Sequence, residues 1–306
     1  MAVESMPIEL TRRSARWGER VIKWILFACA VTSVATTFGI ILSLLFETVD
    51  FFREVSLIEF FTGTSWGPTF KPATFGVLPL VSATVQIAVM GTLIAVPLGL
   101  GSAIFLSEYA KPRTRDAIKP VLEVLAGIPT VVFGYFGLTF LTPTILQPLV
   151  PGTGIFNALG ASIIIGIAIT PLVASLSEDA MRAVPLGLRE AAYGMGATRR
   201  TVSLRVVVPA ALSGIMAGVV LALSRAIGET MIVAIMAGLN PNLSLDPRQG
   251  METMTAYIVQ ISLGDSPYGS IEYKTIFAIG TTLFVMTLLL NIASFRFVKR
   301  FRERYE

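Results

Sequence analysis

The chain has no histidine and a single cysteine, Cys29, among its 306 residues. Without histidine it lacks the commonest general base and metal ligand, and every Ser-His-Asp or Cys-His catalytic arrangement is excluded. One cysteine permits neither an intrachain disulfide nor a thiolate metal cluster. Charged residues are also scarce, at 14%, whereas an average soluble domain has about 25%. With 54% apolar residues and a mean hydropathy of +0.73, the composition indicates a membrane protein.

Six apolar stretches predict an all-α membrane protein, because a helix needs about 20 such residues to cross the hydrocarbon core. They lie at about 21–46, 78–106, 118–141, 158–177, 207–238 and 275–298. The first is too long for a signal-peptide core and is interpreted as an uncleaved anchor. We therefore expect five regions: an N-terminal arm at 1–20, the anchor at 21–46, an outer loop at 47–77, a core of five spans at 78–298 and a tail at 299–306.

The distribution of Lys and Arg predicts the orientation of the spans. Basic residues concentrate in the N-terminal arm, in the second–third and fourth–fifth connections, and in the tail. The other connections hold only Arg53, Lys71, Arg248 and Lys274. Because cytoplasmic loops are enriched in Lys and Arg, we expect both termini of this multi-pass protein in the cytoplasm.

The fifth span contains two charged residues, Arg225 and Glu229, four positions apart and hence on one face of a continuous helix. A central membrane arginine costs about 2.5–3.5 kcal/mol on insertion scales, so it should face a bundle interior or a wet cavity beside a partner, here Glu229. A guanidinium suits a tetrahedral oxyanion. We interpret the pair as an anion station on a translocation path, with Ser224 and Thr230 as additional hydroxyl donors. The alternative is an ion pair that only holds helices together.

Gly127 and Pro129 interrupt the third apolar stretch. Membrane helices tolerate such residues where neighbouring groups satisfy the freed backbone. The plain interpretation of glycine and proline within the spans is a packing kink, and Gly127 and Pro129 are the candidate positions for a helix break that serves as a gate.

The fourth–fifth connection is patterned for two short helices. A helix beginning near Pro185 should break at Gly194 and Gly196, and Thr198 can cap a second helix. The residues resemble the "EAA…G………I.LP" loop of binding-protein-dependent ABC importers, with Val where that motif has Ile and Leu: Glu190, Ala191, Ala192, Gly196, Val206, Val208 and Pro209.

This resemblance implies a type I ABC importer permease (MetI-like) fold with six transmembrane helices. Its loop forms a cytoplasmic coupling helix that docks on an ATPase subunit. The implied docking positions are Glu190, Ala191, Ala192 and Gly196.

Three further segments resemble PstC-type permease subunits of phosphate importers: residues 60–66, 126–135 and 224–231. The resemblance implies phosphate as the substrate and a role for Arg225 and Glu229 in its translocation. It also implies a bacterial inner-membrane location and three partners, namely a PstA-type second permease, a PstB-type ATPase dimer and a periplasmic or lipid-anchored PstS-type phosphate-binding protein. No cofactor is expected on this chain, with ATP and Mg on the partner ATPase.

The positions of the lysines agree with ATP hydrolysis on a separate subunit. A P-loop ends in Gly-Lys-Ser/Thr, and no lysine of this chain follows a glycine. The chain is therefore expected to be a permease subunit and not an enzyme. Two alternatives remain open: a permease for another oxyanion (sulfate, molybdate or phosphonate), and a proton-coupled secondary anion transporter with Glu229 as proton carrier. The second leaves the patterned inner loop unexplained.

Overall fold

A computed structural model of the protein describes residues 17–264 and 266–301. Most of the expected N-terminal arm (1–16) and most of the tail (302–306) lie outside the described residues. The chain divides into two compact units, residues 1–46 and 47–306. Within the first unit, the described residues form one continuous helix with mostly exposed apolar side chains. That helix, α1 (Trp17–Glu54), ends in the second unit.

Within the described ranges, five helices are long and apolar enough to cross a membrane, and a bent helix pair makes a sixth span if it is counted as one. The helices of these spans are α1, α3 (Leu78–Ile104), α5 (Thr130–Phe136) continuing to α6 (Gln147–Leu149), α7 (Ala158–Arg182) and α14 (Ile271–Phe301). The bent pair joins Arg199–Ala210 to Leu212–Ile227 at an angle of 69°.

Shorter elements complete the described chain. Before α3 come α2 (Leu57–Thr62) and a two-stranded antiparallel hairpin of β1 (Trp66–Gly67) and β2 (Thr74–Phe75). The others are α4 (Pro112–Ala126), α8 (Leu186–Gly194), α9 (Arg199–Val202), α10 (Val208–Ala210), α11 (Leu212–Ile227), α12 (Met231–Met236) and α13 (Met254–Leu263). Three π-helical stretches extend or interrupt helices, at Phe105–Tyr109, Gly137–Leu146 and Ser203–Val207.

The single span expected at 118–141 is wrong. The amphipathic helix α4 ends at Ala126, and α5 begins at Thr130 with Pro129 as its N-cap. Because a proline disfavours helical backbone in the residue before it, Ile128 cannot continue α4. The crossing segment is therefore 130–149, and the charged residues of α4 lie outside it.

The continuous helix expected at 207–238 is also wrong. The chain bends at Ala211, α11 ends at Ile227, and α12 begins only at Met231. Gly228 is the C-cap of α11. The apolar count could not detect this break, since the residues on both sides are apolar.

The helices α3 and α7 form the centre of the main hydrophobic core, and glycines allow them to approach closely. A Cβ at Gly99 would lie 2.7 Å from Cβ of Val173, and one at Gly166 would lie 2.9 Å from the carbonyl oxygen of Gly91. Such distances are shorter than side-chain contacts allow. The two helices therefore pack almost backbone to backbone here, as small residues permit in membrane bundles.

Helix α13 (Met254–Leu263) packs with half of its residues buried within the protein. Met254 and Tyr257 belong to an apolar cluster that also contains Trp66 of the hairpin. The Trp66 and Tyr257 rings meet edge to face at 5.1 Å, and the Tyr257 hydroxyl lies 2.8 Å from Oγ1 of Thr275 on α14. These contacts join the hairpin, α13 and α14.

Candidate functional site

Arg225 lies in the last turn of α11 and is exposed in this chain. Its guanidinium makes no hydrogen bond or ion pair within the described residues. It lines a cavity of about 190 Å³ between α4, α7, α11 and the end of α3. The other residues lining this cavity, called the Arg225 cavity below, are Leu106, Lys119, Leu122, Glu123, Ala126, Pro171, Leu172, Ser175 and Glu178.

A cluster of charged side chains reaches one wall of the Arg225 cavity through Lys119 and Glu178. The Glu178 side chain is only 1% exposed, and Nζ of Lys119 donates to its Oε2 at 2.9 Å. Arg115 Nε lies 3.4 Å and Arg182 Nη1 3.7 Å from Oε1 of Glu178. Lys119 also donates to Asp179 Oδ1 at 3.1 Å. Three cations and two carboxylates leave this cluster with an excess of positive charge.

Lys119 is held in its charged form by this cluster. The hydrogen bond to Glu178 is the main cause that raises the pKa of Lys119, with a further contribution from Asp179. Neither Lys119 nor Glu178 was predicted from the sequence as a site residue. They are 59 positions apart, so no local motif links them. The feature of the sequence that could have indicated a role for Lys119 is the amphipathic pattern of α4.

The expected ion pair between Arg225 and Glu229 is absent among the described side chains. The two residues do not share a helix, because α11 ends at Ile227 between them. Instead, Oε1 of Glu229 accepts a hydrogen bond from the backbone N–H of Ile232 at 3.3 Å, at the start of α12. The carbonyl oxygen of Glu229 accepts the Thr255 hydroxyl at 2.8 Å. Glu229 thus stabilises the break, and Arg225 remains unpaired.

The two hydroxyls expected beside the anion have protein partners. Ser224 Oγ donates to Oδ1 of Asn291 on α14 at 3.0 Å. Thr230 Oγ1 donates to the carbonyl oxygen of Gly228 at 3.2 Å. Neither residue lines the Arg225 cavity.

Gly127 and Pro129 lie in the break between α4 and α5. The N–H of Gly127 donates to the carbonyl oxygens of Glu123 and Val124, which closes the end of α4. Since α4 lines the Arg225 cavity and α5 begins a crossing segment, the break joins the cavity wall to the third span.

The expected coupling loop has the two-helix form inferred from its sequence. Helix α8 ends at Gly194, and Gly196 has a φ of +80°, a backbone conformation that glycine adopts without strain. Thr198 caps α9 by accepting the N–H of Thr201 at 3.3 Å. Of the expected docking positions, Glu190, Ala191 and Gly196 are exposed, while Ala192 is buried against the protein.

Arg189 fixes α8 to the membrane helices. Its Nη1 donates to the carbonyl oxygen of Val184 at 2.8 Å, and its Nη2 donates to that of Met181 at 2.8 Å. Nη2 also lies 3.2 Å from Oε1 of Glu108 at the end of α3. One guanidinium therefore joins the coupling loop to the ends of α3 and α7.

A second buried carboxyl, Glu252, lies just before α13 and outside the crossing segments. It is 1% exposed, and its Oε1 has no hydrogen-bond partner. Burial raises the pKa of Glu252 from 4.5 to about 8. It does not line the Arg225 cavity.

No group of three or more His, Cys, Asp or Glu that could hold a metal ion is present in the part of the chain that the structure describes. The donor set of the Arg225 cavity, with guanidinium, ammonium and hydroxyl groups, suits an anion.

Comparison with known proteins decides the family. Residues 95–306 match the model of the "Binding-protein-dependent transport system inner membrane component" family. The chain belongs to this family. The permease is 38% identical over 281 residues to the "Probable ABC transporter permease protein YqgH" of Bacillus subtilis, covering 91% of this chain and 90% of that protein. It is 37% identical over 260 residues to the "Phosphate transport system permease protein PstC" of Mesorhizobium japonicum, covering 79% and 78%.

Solved structures support the same fold for the permease. A chain of the bacterial alginate ABC transporter matches with a TM-score of 0.65 at 14% identity, covering 95% of this chain and 99% of that one. A chain of the MetNI methionine ABC transporter in an inward-facing conformation matches with a TM-score of 0.57 at 21% identity, covering 73% and 95%. At these identities the likeness concerns the fold alone, and it confirms the expected all-α importer permease architecture.

Family membership confirms that the chain is an ABC importer permease component of the inner membrane, and not an enzyme. It also confirms the resemblance to PstC-type permeases.

Proposed function

We propose that this permease translocates inorganic phosphate, driven by ATP hydrolysis on a separate subunit. The observation that carries the proposal is the similarity to permeases named for phosphate transport over most of the chain. The unpaired Arg225, in a cavity that the donors Lys119 and Ser175 also line, supports an anionic substrate. A guanidinium offers several donors in a fixed plane, and these match the oxygens of a tetrahedral oxyanion.

The proposal includes an orientation and partners. The basic connections lie in the cytoplasm, together with both termini. A PstA-type permease completes the pathway, a PstB-type ATPase dimer binds ATP and Mg, and a PstS-type protein delivers phosphate from outside. The exposed residues of α8, among them Glu190 and Ala191, contact the ATPase.

Movement of the coupling loop is transmitted to the Arg225 cavity through α7. Arg189 on α8 hydrogen-bonds to the carbonyl oxygen of Met181, and Glu178 lies less than one turn earlier on the same helix. A displacement of α8 therefore shifts the wall of the Arg225 cavity. The break at Gly127–Pro129 acts as the gate, since it allows α4 to move relative to α5.

Labelled phosphate uptake by membrane vesicles of equal permease abundance tests the proposal. We expect Arg225→Ala to abolish uptake, and Arg225→Lys to retain part of it because the charge remains. Arg113→Ala is a matched control, since Arg113 is exposed on α4 and does not line the cavity. Normal uptake in Arg225→Ala would exclude Arg225 from the pathway. Uptake that survives ATP depletion and collapses with a protonophore would reject the ATP-driven mechanism.

A further inference from the structure

The Arg225 cavity contains three hydrogen-bond donors that come from three different helices. Arg225 of α11 has no partner in the described chain, and Lys119 of α4 is paired with carboxylates. Ser175 of α7 also lines the cavity, and its hydroxyl makes no hydrogen bond within the described residues. By contrast, Ser162 and Thr170 on the same helix donate to the carbonyl four residues earlier. The Ser175 hydroxyl is thus free to bind a ligand.

The cavity also contains an acceptor. Glu123 of α4 is exposed, lines the cavity, and makes no side-chain hydrogen bond or ion pair within the described residues. A carboxylate beside an anion site repels a fully ionised oxyanion. It favours an oxyanion that keeps a proton, because that hydroxyl can donate to it. Phosphate and arsenate keep at least one proton at neutral pH, whereas sulfate and molybdate do not.

The charge cluster allows Lys119 to bind an anion without leaving a buried carboxylate unpaired. The Lys119 ammonium has three N–H donors, and Glu178 and Asp179 accept two of them, so the third can donate to a ligand while both existing bonds remain. An unpaired buried charge would cost several kcal/mol, so it matters that Lys119 keeps its bond to Glu178. The cavity volume of about 190 Å³ is sufficient for the five heavy atoms of phosphate, since cavities of about 150 Å³ hold benzene.

We propose that the Arg225 cavity is a phosphate-selective binding site, in which Arg225, Lys119 and Ser175 donate to phosphate oxygens and Glu123 accepts the hydrogen bond of the phosphate hydroxyl. This inference rests on the proposed function and adds a selectivity step within the permease itself. Sites that pair with a substrate hydroxyl discriminate strongly against analogues that lack it.

Equilibrium dialysis of radiolabelled phosphate tests this site, with the purified permease–ATPase complex in the absence of nucleotide and binding protein. In the wild type, arsenate should displace the label and sulfate and molybdate should not. Lys119→Gln should weaken phosphate binding about tenfold or more, as expected for a charge-assisted hydrogen bond. Ser175→Ala, which removes only a hydroxyl, should weaken it several-fold. Arg113→Gln should leave binding unchanged.

Glu123→Gln tests the selectivity. It should let sulfate compete at least tenfold better, because an amide can donate to sulfate and carries no charge. Asp116→Asn is the matched control, since it removes the same charge from an exposed position on α4 outside the cavity. Equal competition by sulfate in the wild type, or equal effects of Glu123→Gln and Asp116→Asn, would overturn the selectivity.

Different results would contradict the phosphate site and the proposed function. If the complete wild-type complex imports phosphate with ATP but Lys119→Gln and Ser175→Ala bind phosphate normally, or the wild type binds none, the site is wrong and the proposed function stands. If the complete complex imports no phosphate, the proposed function itself fails.

Discussion

The buried carboxyl of Glu252 gives the protein a specific dependence of stability on pH. Its pKa is about 8 in the folded state, against 4.5 when it is exposed. Between these values the folded protein keeps a proton that the unfolded chain releases, so the free energy of unfolding falls as the pH rises. Below about pH 4.5 and above about pH 8 this contribution is constant. Each pH unit in between removes about 1.4 kcal/mol, and the whole interval removes about 4–5 kcal/mol.

Thermal unfolding of wild type and Glu252→Gln from pH 5 to pH 8.5 measures this effect. The amide is neutral at every pH, so we expect a falling Tm for the wild type and a nearly constant Tm for the variant. The variant should be the more stable protein at pH 8. No histidine is present, so between pH 5 and pH 8 no other side chain has its ordinary pKa. The exposed carboxylate of Glu59 offers the control Glu59→Gln, which should retain the wild-type slope. If the Tm of Glu252→Gln falls with pH as steeply as that of the wild type, Glu252 is not the group responsible for the pH dependence.

Two further predictions use pairs of glycines. Gly196→Ala places a side chain at a φ of +80° and should cost about 1–2 kcal/mol of stability. If the loop couples ATP hydrolysis to transport, this substitution should reduce uptake more than ATP hydrolysis. The control Gly194→Ala, at an open helical position, should leave both activities unchanged. Wild-type coupling in Gly196→Ala would show that the loop tolerates this strain. Gly99→Ala should lower the free energy of unfolding by about 1–3 kcal/mol, because the added Cβ would overlap with Val173. The control Gly101→Ala, whose Cβ would have nothing within 4 Å, should leave the free energy of unfolding unchanged. Equal Tm values for the two variants would contradict the close packing of α3 and α7.

The fold class and the coupling loop could be predicted because their signals are local. Apolar length indicates a span, and Pro185, Gly196 and Thr198 each mark a helix boundary through their own backbone preferences. Periodicity failed where a helix breaks within apolar sequence, as at Gly228. That failure removed the expected pairing of Arg225 with Glu229, because four-residue spacing places two side chains together only on an unbroken helix.

The cavity around Arg225 could not be predicted for a different reason. Lys119 and Glu178 are brought together by the packing of α4 against α7, and their separation of 59 residues leaves no trace in local patterns. The count of basic residues assigned Lys119 to a cytoplasmic connection. A charged residue near the end of one apolar helix can instead pair with a charged residue near the end of a neighbouring helix.

The glycine-mediated contact of α3 with α7 constrains how the permease can change shape. Two helices packed this closely, with Val173 directly against Gly99, cannot slide without steric overlap or separate without opening a void. We therefore infer that α3 and α7 behave as one rigid block in every state of the transport cycle. We infer that the hinges lie at the breaks between helices, at residues 127–129, 211 and 228–230.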